Sequence, residues 1–247
     1  MNGTLWVDDI KSLLVSRRTA YSIAIMAVLA TIVAVVVAFS PEGLKEALRA
    51  AAPASSGVFE YLWIEDVLDK LLIITFVSFG AFAICDLEDD RMMELVVSRP
   101  HSRFEFISRR VIASMTVLII VFVGGSAIVS VIGSAIVGGM DAGLFLLHQI
   151  LVLPMCLFVF SLTLFLSVPL RTTAPTVVTS FAIALALSFA YSLLIMTGDP
   201  TPSPLNPLAL GYRILLDLPI DAATSIALAF SGIFLIAGAV WFTRRDL

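Results

Sequence analysis

Six continuous apolar stretches, at residues 21–39, 67–85, 111–139, 144–168, 175–197 and 222–243, leave this chain little choice but a bilayer. Crossing a hydrocarbon core of ~30 Å takes about 20 apolar residues in a helix, because only a helix or a closed barrel satisfies its own backbone there. The stretches are unbroken rather than alternating, and about twice the length of a barrel strand, which excludes a barrel. Composition agrees: 60% of the 247 residues are hydrophobic and 14% charged, against roughly 25% charged in soluble domains. The expected fold is an all-α membrane protein with six transmembrane helices, forming one transmembrane domain over residues 1–247.

The second stretch is the weakest, because Asp69 and Lys70 fall in its first turn. At the centre of a membrane each charge would cost ~3 kcal/mol, so both are expected at an interface, reaching water. Eleven of the 15 basic residues fall before the first stretch, between the second and third, between the fourth and fifth, or after the sixth. That asymmetry predicts both termini on the cytoplasmic side. The basic residues form short clusters rather than a groove, so no nucleic-acid partner is expected. Cys85 and Cys156 read as apolar fillers.

Residues 1–19 read as an interfacial helix, with Trp6, Ile10, Leu13 and Leu14 spaced for one face. A secretory signal is disfavoured, since the charged region is long, the apolar run has full span length, and Pro41 follows the only plausible cut. The two sizeable external segments are 41–66 and 198–221. The first has Leu44, Ala47, Leu48 and Ala51 at helical spacing, then Phe59, Tyr61 and Trp63, which read as an interfacial aromatic belt. The second carries five prolines.

A charged cytoplasmic insertion of about 25 residues, 86–110, stands out against otherwise short connections. Its part from Asp86 to Arg99 has good helix formers and no glycine or proline before Pro100, which stops a helix there. Leu87, Met92, Met93 and Leu95 to Val97 supply apolar contacts, and Glu88, Asp89, Asp90, Arg91 and Glu94 supply charge. Such a helix suits either a groove on another protein or a membrane surface.

The string from Glu94 to Arg109, ELVVSRPHSRFEFISR, resembles the cytoplasmic loop after the second span of type-2 ABC transporter permeases. That family combines an acidic cluster, a short helix, a Ser-Arg-Pro-hydrophobic-Ser-Arg turn and a basic residue opening the third span. The amphipathic start, the Ser203-Pro204-Leu205-Asn206-Pro207 segment and the Phe242-to-Leu247 end also resemble the family, and Arg91-Met92 departs from its common Gly-Thr. The resemblance implies that 86–100 is a coupling helix seated on a separate ATP-binding subunit. Glu88, Asp89, Asp90, Arg91, Glu94 and Arg99 would make that contact. It further implies two ATP-binding subunits, a second permease copy in a homodimer, a plasma-membrane location, and room for an extracytoplasmic accessory protein. Residues 198–221, with Gly211-Tyr212-Arg213, would form short re-entrant helices closing the outer end. The chain has no Gly-x-x-x-x-Gly-Lys-Ser/Thr loop, and none of Lys11, Lys45 and Lys70 follows a glycine. No cofactor is therefore expected in this chain, with ATP and Mg on the partner subunit.

No catalytic constellation or metal cluster is legible. His101 and His148 lack neighbours at ligand spacing, and His148 reads as a solvated group near the outer interface. Ser126, Ser130, Ser134 and Gly138 form a small-residue stripe for close helix packing or a polar lining. The family places its route between the second and fifth spans of two protomers. That makes Thr75, Ser78, Phe79 and Phe82, with Ser188, Tyr191 and Ser192, the candidate pathway lining, although helix hydroxyls also bond their own backbone. The resulting expectation is the permease subunit of an ABC exporter that is not itself an enzyme. The alternative is a non-transporting scaffold or accessory subunit that docks a cytoplasmic partner; an intramembrane enzyme lacks the paired groups it would need.

Overall fold

The computed structural model describes residues 10–52, 57–89, 103–138, 140–196 and 203–244. Among them there is no strand, and six helices are long and apolar enough to cross a membrane: Arg17–Phe39, Val58–Cys85, Ile107–Val137, Ala142–Leu170, Thr173–Ala190 and Asp221–Arg244. We number them as spans one to six. About 65% of the second and 61% of the fourth span is buried, against 22% of the fifth and of the sixth, so the second and fourth make the core. The fourth packs on the sixth, second and fifth, and the first lies along the third.

Span one begins where Ser16 accepts the Thr19 amide, and the Thr19 hydroxyl donates to the Leu13 carbonyl at 2.8 Å, tying residues 10–14 to the span. Pro41 ends it and opens the short helix Glu42–Ala51. Met26, Ala30 and Ala34 bury along span three. The third span runs into Gly138, at φ +72°, where a left-handed turn suits glycine; Asp141 then caps the fourth span by accepting from Gly143 and Leu144. Span four is interrupted at Val152, because Pro154 has no amide to continue the ladder. It ends on Arg171, at φ 65°. Phe158 and Phe165 then pack against Phe230, Phe234 and Trp241 of span six.

The second span differs most from expectation. It starts at Val58 rather than at 67, as Val58–Tyr61 followed by a π-helical stretch, Leu62–Leu71, and then the helix Ile73–Asp89. Phe59, Trp63, Ile64, Val67, Leu68 and Leu72 are all buried. With Glu60 and Ile73, also buried, they form the pairs 59/60, 63/64, 67/68 and 72/73, whose steps of four to five positions fit i→i+5 bonding, and Leu72 N–H donates to the Val67 carbonyl at 2.8 Å. The connection between the first and second spans is thus shorter than the expected 41–66, whose last part belongs to this span.

Residues 203–244 begin with a turn that carries Asn206, whose amide donates to the Leu187 carbonyl. The one-turn helix Pro207–Ala209 leads into the helix Leu210–Leu215, buried against the π-helical stretch. Arg213 is 9% exposed and donates through Nε and Nη2 to the Pro219 carbonyl, which fastens the loop into span six.

Candidate functional site

Three polar sites sit within the apolar bundle. The first lies between the second and fifth spans. The π-helical stretch turns Asp69 inward, to 3% exposure, where Ser188 donates to Oδ2 and Oδ1 has no partner. This corrects the expectation that Asp69 reaches water. Lys70 is half-buried, donating to the Glu65 carbonyl at 2.9 Å and to Asp66 Oδ1 at 3.0 Å, with Glu65 Oε1 at 3.7 Å. Neighbouring carboxylates pair its charge where Asp66 still meets solvent.

The second is a relay joining spans two, three and four. Trp63 Nε1 donates to Gln149 Oε1 at 3.0 Å; Gln149 Nε2 donates to Ser130 Oγ at 3.2 Å and to the Ser126 carbonyl. Gln149 is fully buried, so each of these bonds replaces one that water would otherwise make. One turn away His148 pairs with buried Glu60. Neither feature matches the sequence expectation. Phe59 and Trp63 are core residues, stacked on one another, instead of an aromatic belt. His148 is a partner of Glu60 instead of a solvated group. Of the serine stripe, Ser126 and Ser130 face the Gln149 amide, whereas Gly138 is exposed. A cavity of about 750 Å³ opens beside Glu60 at this end, between the helix Glu42–Ala51 and the end of span three.

The third is a cleft of about 490 Å³ at the opposite end, bounded by spans one, two and three. Its wall on span two is Thr75, Ser78, Phe79 and Phe82, so the four candidate residues of that span do come together in one place. Arg18 and Ser22 enter from span one, and Arg110 and Ser114 from the helix Arg103–Val137. The Arg18 guanidinium lies 3.7 Å from the centroid of the Phe82 ring, a cation–π contact. Arg110 Nε is buried and has no hydrogen-bond partner, an arrangement that costs about 1–3 kcal/mol if nothing binds there.

Ser188 is not part of this cleft; it belongs to Asp69. Within one chain the wall opposite span two is built by spans one and three, and a route between two protomers would be a separate surface. Tyr191 and Ser192 lie on the helix Thr173–Met196, but their side chains fall outside the described residues. So do the side chains of Glu88 and Asp89, and all of Asp90, Arg91, Glu94 and Arg99. Sequence reasoning missed Arg18, Arg110, Asp69, Glu60 and Gln149 as site residues. A polar or ionisable residue inside an apolar run was the available signal for Asp69 and Gln149.

Among the described residues no group of three or more His, Cys, Asp and Glu side chains could hold a metal. Compared with protein-family models and with curated proteins, the sequence matches none. Among the described residues, fold and sites together define a helical protein with six helices long and apolar enough to span a membrane, and an amphiphilic cleft between three of them.

Proposed function

We propose that this chain is the permease subunit of an ATP-driven ABC exporter, two copies working with two copies of a separate ATP-binding subunit in the plasma membrane. ATP and Mg belong to that partner, and residues 86–100 form the coupling helix that meets it on the cytoplasmic side. The observation that carries this reading is mechanical. The helices that flank residues 90–102, Ile73–Asp89 and Arg103–Val137, are two walls of the cleft. Thr75, Ser78, Phe79 and Phe82 stand on the first, and Arg110 and Ser114 on the second. A push on the loop reaches the cleft through two rigid rods, without an intervening hinge. Closing of the ATP-binding pair then tilts the second and third spans and switches the cleft between inward and outward access.

Glu88, Asp89, Asp90, Arg91, Glu94 and Arg99 supply the charged rim for the partner. The segment 203–244 supports the same reading at the other end, where the short helix Leu210–Leu215 packs against span two and plugs the bundle. Replacing Glu94 by cysteine and cross-linking in membranes tests the contact. The reading expects a covalent product with an ATP-binding protein, formed in higher yield with nucleotide present. A product with lipid alone, or none with any ATP-binding protein, favours a scaffold whose loop rests on the membrane.

A further inference from the structure

We propose that the cleft between spans one, two and three binds an amphiphile with an acidic headgroup, the head between Arg18 and Arg110 and the apolar tail along Ile25 and Ile74. This deepens the permease reading by naming a substrate class, and its binding step rests on the cleft alone. Charge is the first argument. Two guanidinium groups enter the cleft, and among the described residues no carboxylate lines it, so its mouth attracts an anion. Arg110 Nε is buried with no partner, and a headgroup oxygen supplies the missing acceptor.

The layering is the second argument. Arg18 is in the first turn of span one and Arg110 early in span three, whereas Ile25 lies two turns deeper on span one and Ile74 at the far end of the cleft on span two. The cations are therefore at one level and the apolar wall at the next, as head and tail are in a leaflet. Ser22 and Ser114, each one turn deeper than Arg18 and Arg110, add hydroxyls below the head, and Thr75 adds one beside Ile74. The third argument is access. Tyr21, Ile25 and Ile74 are about half exposed or more, at 63%, 47% and 48%, so the cleft opens sideways from the bundle and a chain can slide in from the bilayer. At about 490 Å³ it holds a headgroup and part of a chain, within the range of ligand pockets.

The test uses the full chain purified in nanodiscs or mild detergent, without nucleotide or ATP-binding subunit. Native mass spectrometry and titration with phosphatidylglycerol, with phosphatidylcholine of the same chains, and with inorganic phosphate read the preference. Wild type is expected to bind phosphatidylglycerol at least about tenfold more tightly than phosphatidylcholine, and inorganic phosphate weakly. Arg18→Gln with Arg110→Gln is expected to abolish that preference, and Arg18→Lys with Arg110→Lys to keep most of it, which separates lost charge from a misfolded bundle. Equal binding of the two lipids by wild type overturns the proposal. So does a preference that survives the double glutamine variant, or phosphate binding as tight as the lipid. Should lipid binding hold while no ATP-binding protein cross-links at residue 94, the permease reading fails and the amphiphile site stands.

Discussion

Gln149 shows how much a single side chain fixes in a bilayer-spanning bundle. It takes one bond from Trp63 and gives two to span three, so it sets the rotation of three helices relative to one another. Gln149→Ala leaves the Trp63 N–H without its acceptor, and thermal unfolding in detergent is expected to report a loss of about 1–3 kcal/mol. The serines of span five make a sharper contrast. Ser188 gives Asp69 its hydrogen bond, while the equally buried Ser180 hydroxyl has no partner. Ser188→Ala is expected to cost about 1–3 kcal/mol and Ser180→Ala to stay within about 0.5 kcal/mol, in the same assay. Equal effects would mean that Asp69 does not depend on Ser188. None of these pairings was legible in the sequence. His148 and Glu60 are 88 residues apart, and nothing in either local context names the other.

At the scale of helices, the sequence carried the existence of all six spans, because length and apolarity decide membrane crossing and both are local. It misplaced the start of the second, because Glu60, Glu65 and Asp66 break the apolar run before Val67 although residues from Phe59 to Leu72 pack in the core. Their four-to-five repeat is that of a π-helix, which also explains why Asp69 turns inward instead of toward an interface. Close approach of spans two and four rests on Gly80. A Cβ there would stand 2.7 Å from the Phe160 carbonyl oxygen and 2.8 Å from Thr163 Cβ, so backbone must move. At Gly125 the obstacle is the Met26 thioether, which is free to swing. Gly80→Ala should therefore destabilise by about 1–3 kcal/mol, and Gly125→Ala should lie within about 1 kcal/mol of wild type because helix propensity offsets the adjustment. Chemical denaturation of the two variants side by side decides it.

For the whole molecule, the grouping of the span-two candidates in one cleft was legible. Thr75, Ser78, Phe79 and Phe82 share a wall, as hydroxyls and aromatics on one helix face can be expected to do. The facing walls include Arg18 and Arg110, whose sequence context reads only as charge flanking a span. Ser188 went elsewhere because the acidic group that holds it comes from a different span. Two cleft-lining helices, Ile73–Asp89 and Arg103–Val137, flank residues 90–102.

The most direct measurement compares wild type with the combined Arg91→Glu and Glu94→Arg reversal, reconstituted with the ATP-binding subunit that purifies with it. ATP hydrolysis and efflux from the same vesicles are read together. The permease account predicts that the reversed protein inserts and the ATP-binding subunit still hydrolyses ATP, while efflux falls at least about tenfold. Efflux unchanged at unchanged hydrolysis would contradict it, because the push would then reach the cleft by some path other than this loop.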